Sequence, residues 1–369
     1  MTIKNHKRFL TAAAAAISLG IAVTGCSGGG VLNSDGGEGD ENTVYRWRLV
    51  TQQIPGTARY DETIVPFVEG VEEASGGRLI IEPFGADVLF PTTETFAAVQ
   101  RGTIEMAAIF GGYWTGVDPV FGLSPGSVPG DPIMTFEEHQ QRVDALQPIV
   151  DEAYAQSDIL SLGAFDYGNP EILMSNVKID EIADFQGLNI RTSGISSLYY
   201  SHLGASAIAL SAPEIYSALQ LGTIDAAEFN DYLVNGEMGL AEVTTYVIEP
   251  VLHQGVISDK ELIVNPEAWE SLPKDLQQIV TAERDEVRDA SIDAYTQLNE
   301  EAKQKWLDEG VEIVELPDDV VEEARVAAAE FLNAYKDESD LTRQYIEGYA
   351  KVLFDLGYVK EAERLGFTG

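Results

Sequence analysis

The chain has a single cysteine, Cys26. A lone thiol forms no intramolecular disulfide and no thiolate metal cluster. Histidine is scarce too, with four in all and no His-Glu-x-x-His pair, which removes the common zinc hydrolases. There is no P-loop and no dinucleotide glycine fingerprint. "GLSPG" at Gly122 to Gly126 fits the G-x-S-x-G pattern formally. That elbow uses the N–H of the residue after serine as an oxyanion donor, and Pro125 has none. No catalytic residue is therefore assigned. Positive charge is also short: 23 Lys and Arg face 61 Asp and Glu, a formal net charge of −38. Such a surface repels nucleic acid and anionic lipid, so no nucleic-acid partner is expected. It repels organic anions at long range as well, and any anion site must be a local, enclosed positive spot. Beyond the N-terminus no apolar run is long enough to cross a bilayer. With 369 residues, 45% of them hydrophobic, there is ample material for two packed domains.

Residues 1–25 read as a lipoprotein signal peptide. Lys4, Lys7 and Arg8 precede the apolar run "FLTAAAAAISLGIAV". It ends in "VTGC", Val23 to Cys26, which resembles a bacterial lipobox and implies cleavage before Cys26 with lipid on its sulfur. The product would be periplasmic or otherwise extracytoplasmic, attached to the membrane only through that lipid. Residues 26–43 are rich in Gly, Asp and Ser, lack EF-hand spacing and predict a flexible linker.

Folded structure is expected from residue 44, where Tyr45, Trp47 and Leu49 alternate with Arg46 and Arg48. Between Ala58 and Ala74, Ile64, Phe67, Val68 and Val71 follow helical spacing up to Gly76-Gly77, and "RLIIEPF" then reads as a strand. Strand, helix, strand opens an α/β sheet. An internal repeat extends this. "ETFAAVQRGTIEMA" (Glu94 to Ala107) matches "EIYSALQLGTIDAA" (Glu214 to Ala227), each a helix closed by a left-handed glycine before a strand. Two α/β lobes facing each other follow: lobe I from 44–168 plus about 256–300, lobe II from 169–255 plus about 301–369. A helix over Lys274 to Glu309 would exceed ~50 Å at ~1.5 Å per residue, long enough to brace both lobes. The amphipathic segment from Leu341 predicts packing on a lobe or on a second copy in a homodimer.

"DFQGLNIRTSG", Asp184 to Gly194, carries the best candidate for a binding residue. Leu188 and Ile190 alternate with Asn189, and Arg191 stands at the mouth of that strand. A guanidinium offers a planar fork that matches a carboxylate. Among the histidines, His139 is expected on an exposed helix, while His202 and His253 are either site residues or structural ones.

This motif, followed by "LGASAIALSAPEIYSALQLGTIDAAEF", resembles the DctP-type substrate-binding proteins of TRAP transporters over most of the chain from Tyr45 onward. "IFGGYWTG" and "FNDYLVNGEMG" are most similar to the branch that takes 2-oxo acids and related monocarboxylates. The resemblance implies a two-lobed periplasmic-binding-protein fold that captures a small carboxylate and docks on membrane permease subunits. It implies a carboxylate clamp at Arg191, an apolar wall at Phe229, first-lobe contacts from Gln52, Tyr113 and Trp114, and ligand or turn-capping roles for Asn230 and Asp231. Twenty positions before Arg191 stands Glu171, which would repel a bound carboxylate. Protonation, a hydroxyl or positive group on the ligand, or an intervening cation would resolve that. A bridging Na⁺ or Ca²⁺ held by Glu171, Phe229 and Gln254 is one such arrangement. A lipid-tethered sensor feeding a signalling partner is the alternative to transport.

Overall fold

The alternation at Tyr45, Trp47 and Leu49 becomes a strand whose inward side chains are almost wholly buried, with Trp47 4% and Leu49 0% exposed. The computed structural model describes residues 43–123 and 126–369. The signal peptide, Cys26, nearly all of the linker, and the Ser124-Pro125 pair lie outside the described residues.

The first sheet is built from β1 (Tyr45–Thr51), α1 (Val65–Ala74), β2 (Leu79–Phe84), α2 (Thr95–Gln100), β3 (Met106–Ile109), α3 (Phe136–Gln156) and β4 (Leu160–Gly168). The chain then passes to β5 (Leu173–Ser175), β6 (Asn189–Arg191), α4 (Gly194–His202), β7 (Ser206–Ile208), α5 (Ala212–Gln220), β8 (Ala226–Glu228), α6 (Tyr232–Glu237) and β9 (Tyr246–Glu249). It returns as β10 (Ser258–Val264), α7 (Pro266–Ser271) and α8 (Lys274–Asp308), and ends with β11 (Glu312–Glu315), α9 (Asp318–Tyr335), α10 (Asp340–Asp355) and α11 (Val359–Arg364).

Strand order is β2-β1-β3-β10-β4 in one sheet and β11-β9-β5-β8-β6-β7 in the other. The two share one wiring. β1 runs parallel to β2 and β3, as β6 does to β7 and β8. Beside each set lies one antiparallel strand contributed by a crossing: β10 against β3, and β5 against β8. The sequence repeat falls on α2–β3 and α5–β8. In both copies the helix ends alike: Thr103 N–H donates to Ala98 O at 2.8 Å, and Thr223 N–H to Ala218 O at 2.9 Å. Gly102 and Gly222 take φ +64° and +67°, the left-handed turn that glycine adopts without steric cost.

The long helix is α8, 35 residues from Lys274 to Asp308. Its first half buries Leu276, Val280 and Val287 with Trp47 and Phe67 in the core beside the first sheet. Its second half buries Ala302 and Trp306 with Ile172 and Tyr232 beside the second, and the Trp306 indole donates to Tyr232 O at 3.0 Å. It therefore spans both lobes.

Two expectations change. Residues beyond 301 do not all belong with the second sheet. β11 pairs with β9 there, and Tyr199 of α4 donates to Ala324 O of α9 at 3.0 Å. But α10 lies against α3, where Leu146, Val150, Tyr345 and Tyr349 share one core and the Tyr349 hydroxyl donates to Asp131 at 2.8 Å. An amphipathic helix declares that it must be covered, not by what. His139 is not exposed: it is 1% exposed on α3, 3.5 Å from Asp259 of β10. Among the described residues no helix is long and apolar enough to cross a membrane.

Candidate functional site

Parallel strands with the same wiring present their carboxyl ends on one side, where α/β sheets bind ligands. Here both sheets do so toward a common cleft of about 540 Å³. Gln52 follows β1, Tyr113 lies in the helical turn after β3, Arg191 and Thr192 end β6, and Phe229 follows β8; all five line the cleft. The outer walls are largely apolar, with Phe90 and Pro91 on one side and Leu210 and Ala212 on the other.

Arg191 is 3% exposed. Nη1 donates to Glu228 O at 2.6 Å and Nε to Leu210 O at 3.1 Å, so two backbone carbonyls fix the plane of the guanidinium. Its carbon lies 5.2 Å from the centroid of the Phe229 ring, within cation–π range. Tyr113 lines the same cleft from the other lobe, close enough for the Arg191 charge to act on its phenol. Burial pushes the Tyr113 phenol above its ordinary range, so it is neutral here. Gln52 is oriented by the Phe110 N–H, which donates to its Oε1 at 2.5 Å.

Behind this wall lies a second cluster. Glu171 sits on the crossing between β4 and β5, His253 on the crossing between β9 and β10, Glu228 at the end of β8 and Lys260 on β10. All are nearly inaccessible, from 1% exposed for Glu228, His253 and Lys260 to 8% for Glu171. The Thr192 hydroxyl donates to the Glu228 carboxylate. Burial, and then the Glu171 charge beside it, push Glu228 well above the carboxylate range. Burial would raise Glu171 as well. The Lys260 ammonium, then the hydrogen bond with Glu228 and the Arg191 guanidinium, outweigh it and hold Glu171 below its ordinary value. The two carboxyl groups therefore share one proton, with Glu228 raised and Glu171 lowered. Burial lowers His253 to about 4, so its ring is neutral at pH 7. Tyr200 holds Nδ1 at 2.8 Å, while Nε2 has no hydrogen-bond partner.

A raised carboxylate binds its proton more tightly in the folded than in the unfolded chain. Stability from Glu228 is therefore present at low pH and is lost as pH climbs from the ordinary carboxylate range toward its raised value. Glu228→Gln keeps a hydrogen-bond donor without a titrating proton. We expect it to flatten this decline and to raise the urea midpoint at pH 8 more than at pH 5. An equal shift at both pH values would contradict a proton on Glu228.

Of the residues singled out from sequence, Gln52, Tyr113, Arg191 and Phe229 meet at the cleft, with Glu171 behind them. Trp114 does not: it is 2% exposed in the core, 5.4 Å from the Phe96 ring, and its indole donates to Tyr154 at 3.1 Å. Asn230 lies beside Phe229 at the edge of the cluster, its Oδ1 accepting from Asp231 N–H at 2.9 Å. Asp231 caps α6, accepting from Val234 N–H at 3.0 Å. Glu228, Thr192 and Lys260 were not anticipated.

Glu171, Glu228 and His253 each bring one potential metal-ligand atom within 4.8 Å of the others. Of the set expected from sequence to hold Na⁺ or Ca²⁺, Glu171 belongs to this group, with Glu228 and His253 beside it in place of Phe229 and Gln254. Gln254 turns its amide nitrogen, not its oxygen, toward Glu171 O at 3.4 Å. The Lys260 ammonium already stands 3.4 Å from the Glu171 carboxylate, where it would repel a second cation.

Residues 51–338 match the DctP family, the bacterial extracellular solute-binding proteins, family 7. The monocarboxylate 2-oxoacid-binding periplasmic protein of Nostoc sp. is 29% identical over 301 residues, 79% of this chain and 80% of that protein. A TRAP periplasmic solute binding protein from Pseudoalteromonas atlantica, solved with bound sodium and pyruvate, superposes with a TM-score of 0.76 at 25% identity, covering 88% of this chain and all of that one. A TRAP transporter solute binding protein from Bordetella bronchiseptica, a dimer with copurified calcium and picolinate, gives 0.76 at 23% identity over 87% of this chain and 96% of that one. With its two similarly wired sheets meeting at one cleft, the chain belongs to family 7 of the bacterial extracellular solute-binding proteins.

Proposed function

We propose that the chain captures a small monocarboxylate bearing an oxo or hydroxyl group, and delivers it to the membrane permease subunits of a TRAP transporter. The observation that carries this reading is Arg191, a buried guanidinium fixed by two backbone carbonyls on the wall of a cleft sized for a small molecule. Charge supports a single carboxylate. Arg191 and Lys260 face a Glu171–Glu228 pair that shares one proton, beside a neutral His253, which leaves one positive charge for one anion. Phe229 and the Phe90–Leu210 walls suit a short apolar chain beyond it. Binding, closure of the lobes and release need no covalent step. A lipid tether at Cys26 keeps the protein near its permease.

Thermal unfolding against a panel of 2-oxo acids, hydroxy acids, amino acids and C4 dicarboxylates, with and without EDTA, tests this. A 2-oxo or 2-hydroxy monocarboxylate at about 100 times its Kd is expected to add ~2.7 kcal/mol of stability. No stabilisation by any carboxylate at millimolar concentration would reject the reading.

A further inference from the structure

Three charged residues run consecutively in β10, Asp259, Lys260 and Glu261, yet the whole strand is buried between β3 and β4. Asp259 faces His139, and Glu261 accepts from the Tyr154 hydroxyl at 2.7 Å. Lys260 points the other way, into the interlobe site. Its Nζ is 3.0 Å from Ser258 Oγ, 3.4 Å from Glu171 Oε1, and 5.2 Å from the centroid of the Phe110 ring. The pair with Glu171 is long for an ion pair in a dry interior, and burying an ammonium is costly without close partners.

Lys260 also lines a small cavity with Gln52, Phe229 and Asn230, of about 10 Å³, room for one oxygen-sized atom. Gln52 and Phe229 line the main cleft as well. The ammonium therefore stands next to two residues, Gln52 and Phe229, that also line the Arg191 cleft. In the Pseudoalteromonas and Bordetella proteins the ligands, pyruvate and picolinate, are accompanied by sodium and calcium.

We propose that Lys260 is the built-in cation of this site. It pairs with Glu171 and donates to the oxo or hydroxyl oxygen next to the ligand carboxylate, so capture needs no metal ion. The assignment rests on the carboxylate-capture reading above. Arg191 grips the carboxylate, Lys260 selects for an oxygen at the adjacent carbon, and Glu171 holds the ammonium in place. Glu171 then contacts the ammonium rather than the ligand, which removes the repulsion its position otherwise implies.

The test uses the EDTA-treated full chain, with pyruvate and propionate as probes in calorimetry. These differ by the oxo oxygen alone. The wild-type chain is expected to bind pyruvate on the order of tenfold more tightly than propionate, the worth of one charge-assisted hydrogen bond, and to be indifferent to added Ca²⁺ or Na⁺. Lys260→Met keeps the apolar stem beside Phe110. It is expected to bring the two affinities to near equality, an outcome that general loss of stability would not produce. A preference for pyruvate that survives in Lys260→Met overturns the proposal. So does wild-type binding that requires Ca²⁺ or Na⁺, or stabilisation of the wild-type chain by millimolar Ca²⁺ without any carboxylate. The capture reading fails separately, if Arg191→Ala leaves the binding of both probes unchanged.

Discussion

Arg191→Ala is expected to weaken carboxylate binding by about 2–5 kcal/mol, roughly 30-fold to several thousand-fold, and to abolish ligand-induced thermal stabilisation. The reasoning is electrostatic. The surface is strongly acidic, so little attracts an anion at long range, and the affinity must come from short contacts. Arg191 supplies a fork whose orientation is fixed before the ligand arrives by Glu228 O and Leu210 O. Arg191→Lys is expected to recover only part of the loss. An ammonium keeps the charge but cannot serve two backbone carbonyls and a bidentate carboxylate from one plane. Affinity within threefold of wild type in the alanine variant would remove Arg191 from the site.

The largest expected loss of stability lies beside the site rather than in it. Arg59 and Asp166 form an ion pair that is 1% and 0% exposed. Gln53 donates to the other carboxylate oxygen at 2.9 Å, and the Tyr295 hydroxyl of α8 donates to Arg59 O at 3.2 Å. The pair thus ties the turn before α1 to β4 beneath α8. Arg59→Met would leave Asp166 charged, buried and held by Gln53 alone. We expect a loss of about 3–5 kcal/mol in urea unfolding. Arg59→Met combined with Asp166→Leu is expected to cost much less than the sum of the two single changes, because no orphaned charge remains. A loss below about 1 kcal/mol for Arg59→Met alone would show that water reaches Asp166.

The sequence was informative where one residue or one repeat carries its own geometry. The matched segments at Glu94 and Glu214 specified two sheets of one wiring, and Arg191 at a strand mouth did come to line the cleft. Gln52, Tyr113 and Phe229 followed from similarity to a family. Trp114 misled because consecutive aromatics in a short helical turn face opposite ways, Tyr113 to the cleft and Trp114 to the Phe96 core. Lys260 escaped because the polar run Ser258 to Glu261 in "SDKELIV" shows no alternation that would mark it as part of a buried strand. A run of charges read from sequence alone is ordinarily left in water. Once β3 and β4 cover both edges and β10 is buried throughout, every charge on it must find a partner across the fold. Three consecutive charges leading into Leu262, Ile263 and Val264 were the available signal. Glu171, Glu228 and His253 come together from three separate segments, and no local pattern announces that meeting.

The duplicated wiring also bears on how such a receptor diversifies. The stretch before the first repeated helix, residues 86–93, and the stretch that leads into the second, residues 209–214, both line the cleft as its outer jaws. Neither contains Arg191, Lys260 or Glu171. On the proposed reading, the side chains that grip the acid head and those that fit the tail come from separate stretches of chain, and the 209–214 jaw meets Arg191 only through the Leu210 backbone carbonyl. Mutation can recut either jaw, one at a time, while the head group stays anchored. The scaffold can therefore change its diet without rebuilding its grip.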